Sequence, residues 1–307
     1  MDGNRSGNMP LVSIVIPTYR REKELIRALK SVAGLNYSNY EVILVDDNDD
    51  KAWNDKVETI IKKICNGNKK LKIKYFANHP NQGSAKTRNV GIDMSEGEYI
   101  CFLDDDDIYL PNRIINQLNP MLENDADYSI TDLALYNEKD KLVELRKRNY
   151  IKNNTAHEKL FQYHLMYHMT GTDTLMFKKE YLTKIGKFDP IDVGDEFYLM
   201  SKAILGEGRF LYVPKCDVKA YVHSAGGGLS SGAAKIDGEN RLYDYKKKYF
   251  GKLSKDARNY IKMRHHLVLG LAYAKERKWC RFIKEGVSAV LVDYKSCISV
   301  VMNRKIV

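Results

Sequence analysis

The chain has 307 residues, 44% of them hydrophobic and 29% charged, which describes a globular protein able to bury a sizeable core and excludes a disordered one. Its formal net charge of +10 is unevenly placed: from Arg241 onward there are 17 Lys/Arg against 5 Asp/Glu, so the rest of the chain is slightly acidic. The five cysteines (Cys65, Cys101, Cys216, Cys280 and Cys297) are scattered and form no C-x-x-C pair, which argues against a disulfide framework or structural zinc and for reduced thiols in a cytosolic compartment.

The opening "MDGNRSGNMP" is polar and flexible in composition, without the apolar centre of a signal peptide, and no later apolar run approaches the roughly 18 residues that a bilayer span requires. "LVSIVIPTY" reads as a buried strand ended by Pro17, followed by an amphipathic helix, "EKELIRALKSVAGL", that closes at Gly34. "YEVILVDDNDD" is a second strand, "KAWNDKVETIIKKICNGN" a helix and "LKIKYFAN" a third strand. "GSAKTRNVGIDMSEG" is then a short helix that leads into "EYICFLDDDD", a fourth strand. This alternation predicts a parallel sheet in an α/β fold, where ligands bind beyond the carboxyl ends of the strands. Pro17-Thr18-Tyr19, Asp46-Asp47 and the aspartate run all fall at such ends.

The following stretch is more mixed. "NRIINQLNPMLEN" reads as a helix, and "ADYSITDLALYN" and "KLVELRKRNYI" as strands able to pair. "HEKLFQYHLMYHM" is helical, with His164 and His168 read as packing or acceptor-side residues, and "TDTLMFKKEYLTKIGKFDP" returns to strand and helix. "VGDEFYLMSKAILGEG" is a helix opening on an acid pair, and "RFLYVPKCDVKAYVHSAGGGLSSG" a strand followed by a glycine-rich loop. From Glu239 the pattern is helical and basic, and "VLGLAYAKERKWCRFIKEGVSAVL" has the form of a helical hairpin. Such a tail reads either as a solvated helical face or as a surface for anionic lipid or polymer.

The run Asp104-Asp105-Asp106-Asp107 follows an apolar strand directly, and crowded carboxylates repel unless solvated or neutralised. Asp104 and Asp106 place two oxygens on one face of a strand end, as a hard cation such as Mg²⁺ or Mn²⁺ requires. The competing reading is a solvated loop that caps the following helix, a role suited to Asp107. The D-x-[DN]-x-[DN]-G calcium pattern is not met, no G-x-G-x-x-G follows the first strand, and "GGGLSSG" comes too late for a phosphate loop.

Six motifs in order, "VSIVIPTYRR", "YEVILVDDND", "NQGSAKTRNVGI", "GEYICFLDDDDIYLP", "KKEYLTKIGKFDP" and "VGDEFYLMSKAI", resemble those of a family 2 glycosyltransferase of the GT-A fold, over about residues 11–231. The resemblance implies an α/β, Rossmann-like mixed sheet flanked by helices, with a C-terminal helical appendage. The expected division is a flexible terminus at 1–9, a glycosyltransferase domain at 10–235 and a basic helical region at 236–307. By the same resemblance Pro17, Thr18 and Tyr19 would hold base and ribose. Asp47 would accept the N3–H of uracil, with Asp46 supporting its loop. Arg88 and Lys86 would face the nucleotide or diphosphate, and Asp105 the ribose. Asp104 and Asp106 form the D-x-D motif, Asp106 being the direct ligand of Mn²⁺ or Mg²⁺, and His223 would bind metal or diphosphate. The family writes its base pair Glu-Asp; here the order is Asp195-Glu196, which places Glu196 at the base position and Asp195 beside it to orient it or bind acceptor.

The function so implied is inverting transfer of a hexose or N-acetylhexosamine from a UDP-sugar to a hydroxyl of a glycan or lipid-linked acceptor, in surface-polysaccharide or cell-wall glycan synthesis. The protein would be cytoplasmic, with peripheral contact at the inner face of the membrane through the basic region; a homo-oligomer is compatible with this, and no nucleic-acid partner is expected. Two rivals stand beside it. A metal-dependent nucleotidyltransferase usually carries a glycine-rich basic loop where this chain has "PTYRREKE". A non-catalytic protein binding membrane or anionic polymer would have no need of Asp47, Asp104, Asp106 and the Asp195-Glu196 pair.

Overall fold

The computed structural model describes residues 9–68, 71–152, 154–191, 193–222 and 232–303. The first half runs β1 (Val12–Thr18), α1 (Lys23–Ala33), β2 (Tyr40–Asp46), α2 (Lys51–Gly67), β3 (Ile73–Ala77), α3 (Ser84–Met94), β4 (Tyr99–Phe102), β5 (Ile108–Tyr109) and α4 (Arg113–Glu123). Then come β6 (Tyr128–Thr131), β7 (Leu133–Asn137), β8 (Leu142–Arg146), α5 (His157–Tyr167), β9 (Leu175–Lys178), α6 (Lys179–Lys184) and α7 (Asp195–Leu205). The chain continues through β10 (Phe210–Val213), β11 (Val218–Val222), α8 (Gly232–Lys247), α9 (Lys255–Lys275) and α10 (Trp279–Asn303).

Seven strands form the main sheet in the order β10-β6-β9-β4-β1-β2-β3. β3, β2, β1 and β4 are parallel to one another, as are β6 and β10, while β9 runs antiparallel to both β4 and β6. The strands are apolar nearly throughout because both faces are covered. Val12, Ile14 and Ile16 of β1 point to a core shared with Leu25, Leu29 and Val32 of α1 and Val57 and Ile60 of α2. Val15, one residue out of phase, points to the opposite core with Ile92 of α3, Leu160 of α5 and Phe197 of α7. Leu242 of α8 and Ala257 and Ile261 of α9 belong to that same second core, so the C-terminal region begins as part of the main body.

"ADYSITDLALYN" does not form one strand. It divides at Asp132, whose carboxylate accepts from Tyr212 Oη at 2.7 Å and from the Arg148 amide at 3.1 Å. β6 enters the main sheet, and β7 alone pairs with β8, in a second sheet of order β5-β11-β7-β8. "RFLYVPKCDVKAYVH" likewise yields two strands, β10 in the main sheet and β11 in the small one. Proline contributes no amide donor, and at Pro214 the ladder breaks.

α3 crosses β1 so closely that a Cβ on Gly91 would lie 2.4 Å from Val15 Cγ1. Gly91→Ala is therefore expected to destabilise the protein by about 1–3 kcal/mol, since a buried valine has no room to withdraw; urea denaturation measures it.

Candidate active site

Parallel strands bring their carboxyl ends to one edge. There β1 ends at Thr18, β2 at Asp46 and β4 just before Asp104, with Thr18 in register with Asp46. β9 runs the other way, so its amino end reaches the same edge, and the short 3-10 turn Thr172–Thr174 before it delivers Asp173.

The sheet edge is organised by carboxylates. Asp46 is fully buried and accepts from the Asn48 amide, Asn48 Nδ2, Asn54 Nδ2 and Tyr75 Oη, at 2.6–2.9 Å, so it supports its loop as expected of it. Asp47 accepts from Asn78 Nδ2 at 2.8 Å and from the Gln82 and Gly83 amides at 2.8 and 2.9 Å. It thereby fixes the turn into α3, where Gly83 takes a φ of 79°. Thr18 Oγ1 and the Tyr19 amide donate to Asp105 Oδ2 at 2.8 and 3.1 Å. Burial pushes the Asp105 carboxyl up to about 7 against the pull of the nearby Arg21. Pro17 precedes Thr18 inside β1, and the Tyr19 side chain is exposed at the rim.

Arg88, buried on α3, donates from Nη2 to Asp104 Oδ1 at 2.6 Å and from Nη1 to Asp195 Oδ2 at 2.7 Å. One guanidinium thus ties the aspartate run after β4 to the first turn of α7. Lys86, two residues earlier, is exposed. Glu196 is partly buried beside Asp195, whose Oδ1 accepts from the Glu196 amide at 3.0 Å. Burial, and then the charge of Asp195, raise the Glu196 carboxyl to about 8. The residue before the pair, Gly194, holds a φ of 82°, and α8 closes on this segment: a Cβ on Gly194 would stand 3.2 Å from Leu242, and one on Gly238 would stand 2.5 Å from Val193.

The four consecutive aspartates point to different partners. Asp106, the expected direct metal ligand, ion-pairs through Oδ2 with Arg21, and its carbonyl accepts from Arg27 at 2.7 Å. Asp107 Oδ1 accepts from the Tyr221 amide of β11 at 2.8 Å. Asp104 donates its amide to Asp173 Oδ1 at 2.7 Å. Oxygens of Asp104, Asp107 and Asp173 lie within 4.8 Å of one another. Burial and mutual repulsion raise the Asp107 and Asp173 carboxyls, Asp173 to about 7. A compact set of hard oxygen donors that resist ionising together fits a divalent cation, which would supply the missing positive charge. His223 lies outside the described residues, as does the glycine-rich loop after it.

Asp173 and Arg21 were not singled out from the sequence. Arg21 had a visible signal, a basic pair directly after the first strand and on the edge of the aspartates. Asp173 had none, because only an antiparallel β9 brings it there. His164 is a packing residue: it is buried, stacks on Phe197 at 4.2 Å and is pushed down to about 3 by burial, so it stays neutral. His168 Nε2 meets Lys246 Nζ at 2.5 Å and Arg264 Nη1 at 2.9 Å.

The raised acids have a measurable consequence. Asp105, Asp173 and Glu196 hold protons in the folded state that the unfolded chain releases near about pH 4. Their contribution to stability therefore falls as pH rises from there toward about 7–8. At Asp107 and Asp173 protons and a divalent cation compete for the same oxygens, so the rise in Tm on adding Mn²⁺ is expected to be larger at about pH 8 than at about pH 5.5. Equal shifts at both values in a thermal melt would contradict this.

The sequence model described as glycosyl transferase family 2 matches residues 13–185. An uncharacterized glycosyltransferase of Haemophilus influenzae is 38% identical over 131 residues, which are 41% of this chain and 50% of that one. The UDP-Glc:alpha-D-GlcNAc-diphosphoundecaprenol beta-1,3-glucosyltransferase WfgD of Escherichia coli is 29% identical over 127 residues, 41% and 47% of the two chains. The chain thus spans about half the length of these relatives. Among solved structures, the mannosyltransferase PcManGT of Pyrobaculum calidifontis in complex with GDP-Man and Mn²⁺ has a TM-score of 0.60 at 15% identity, covering 92% of this chain and 87% of that one. That likeness is one of fold, and the mixed sheet flanked by helices is the GT-A arrangement.

Proposed function

The chain belongs to glycosyl transferase family 2, and on that premise we propose that it moves a hexose or N-acetylhexosamine from a UDP-sugar to a hydroxyl of a glycan or lipid-linked acceptor, with inversion, in surface-polysaccharide or cell-wall glycan synthesis. Residues 10–235 are assigned to catalysis, and residues 236–307 to a helical region built onto them. The observation that carries the reading is the chain Asp104–Arg88–Asp195, which fixes the aspartate run and the acid pair of α7 in one site.

On this reading Glu196 accepts the proton of the acceptor hydroxyl as its oxygen bonds to the anomeric carbon and the bond to the nucleoside diphosphate breaks. Asp195 orients it through the contact to its amide. Pro17, Thr18 and Tyr19 receive the base and ribose at the end of β1, with Asp47 accepting from the uracil and Asp105 positioned by Thr18 for the ribose. Arg88 places Asp104 and Asp195, holding one with each of its terminal nitrogens. Asp104, Asp106, Asp107 and Asp173, with His223, are the residues that would hold Mn²⁺ or Mg²⁺, which when bound stabilises negative charge on the leaving diphosphate. The UDP donor named for WfgD supports uridine, and the Mn²⁺ in the PcManGT complex supports the metal.

Calorimetric titration of UDP, CDP and GDP, each with and without Mn²⁺, tests the assignment. The expected result is metal-dependent binding of UDP that Asp106→Ala removes. Preference for GDP, or UDP binding unaffected by that substitution, would overturn the donor assignment.

A further inference from the structure

α9 and α10 form a helical hairpin whose outer face is uncovered. On α10, Trp279, Ile283, Val287 and Val290 recur at steps of three or four residues before the helix breaks at Asp293, so they share one face, and Tyr294 and Ile298 beyond the break are exposed as well. Leu291 beside them is 80% exposed and Ile283 61%. The opposite face is already used: Ala289 and Cys297 are buried against Met263 of α9. Isolated exposed apolar residues are ordinary, whereas a stripe from Trp279 to Leu291 along the first part of α10 marks a contact surface.

The charges around the stripe are cationic. Lys275, Arg277, Lys278, Arg281, Lys284 and Lys295 are all exposed. Of the acids in the same stretch, Glu276 pairs with Lys278, Glu285 with His266, and Asp293 accepts from the Ser296 amide. Among the described residues no helix is long and apolar enough to cross a membrane, and α10 departs from helical geometry at Asp293. It is therefore an amphipathic element suited to lie on a surface rather than to span one.

We propose that this face of α10 rests on an anionic lipid surface, its apolar side chains at the boundary of headgroups and acyl chains and its Lys and Arg side chains among the lipid phosphates. Charge complementarity selects this occupant over a second copy of the chain, because a two-fold contact through the stripe would set the same cations against each other. The inference rests on the C-terminal surface alone and is independent of the donor assignment.

Sedimentation of the full chain with vesicles of phosphatidylcholine, with and without phosphatidylglycerol, tests it. Wild type is expected to bind the phosphatidylglycerol vesicles and to be released in part by salt. Ile283→Glu with Leu291→Glu should weaken that binding by roughly tenfold or more, and Arg281→Glu with Lys284→Glu should remove the preference for anionic lipid. Both pairs are exposed, so circular dichroism and metal-dependent nucleotide binding should match wild type. Failure of wild type to bind anionic vesicles, or unchanged binding by the variants, would overturn the proposal. So would a wild-type dimer in sedimentation velocity that ignores vesicles and is dissociated by Ile283→Glu with Leu291→Glu, which would assign the face to a second copy.

Discussion

Glu196→Gln is expected to lower kcat by about 10²–10⁴-fold while leaving metal-dependent nucleotide binding intact, because the amide keeps the size and polarity of the side chain but cannot accept the acceptor's proton. The pH dependence separates this role from a structural one. As the proposed base Glu196 must be ionised to act, and burial beside Asp195 raises it to about 8. Wild-type kcat/KM should therefore climb about tenfold per pH unit below that value and then level off. The residual activity of Glu196→Gln should lack that limb. Asp195→Asn gives the contrast: it removes the charge that raises Glu196 and weakens the hold on Arg88, so its limb should move to lower pH. An unaltered pH profile in Glu196→Gln would exclude Glu196 as the base.

Arg88→Met is expected to destabilise the fold by about 3–5 kcal/mol, the cost of leaving buried charges without their partner. The methionine would fill much of the same space, so the loss would report charge more than volume. Asp104 and Asp195 would face each other across an apolar side chain, without the cation that joins them. Urea denaturation measures the deficit. Arg88→Lys should recover only part of the loss, since an ammonium cannot present the fork that reaches both carboxylates. If Arg88→Met were as stable as wild type, the two halves of the site would be held together by something other than this ionic chain.

Local order was legible in the sequence where the signal is local. The alternation of apolar strands and amphipathic helices from Leu11 to Phe102 survives in the structure because each strand is covered on both faces and each helix on one. The hairpin of α9 and α10 was readable for the same reason. Partnership was not readable. "ADYSITDLALYN" has the period of one strand, and nothing in it says that Asp132 will divide it between two sheets. Strand direction is equally silent in the sequence, which is why Asp173 passed unnoticed although it lies against Asp104. The role of Arg88 was hidden because Asp195 is 107 residues away; a cation on a helix near a nucleotide fold suggests a phosphate contact, and only the folded chain shows two carboxylates already occupying it. The aspartate run announced itself as a site, yet which of its members converge depends on β5 and β11 of the second sheet, placed by long-range contacts.

The reversed strand β9 divides the main sheet into two blocks with different residues at their ends. β3, β2, β1 and β4 carry Thr18, Asp47 and the aspartate run at their ends, whereas β6 and β10 lie beyond β9 and carry none of these. The seam on both sides of β9 joins them through backbone hydrogen bonds and through a shared apolar core, in which Ile100 and Phe102 lie with Phe177, Tyr128 and Ile130. Parting the blocks at β9 would expose that core and break the Arg88–Asp195 ion pair, so the sheet is expected to open as one cooperative unit.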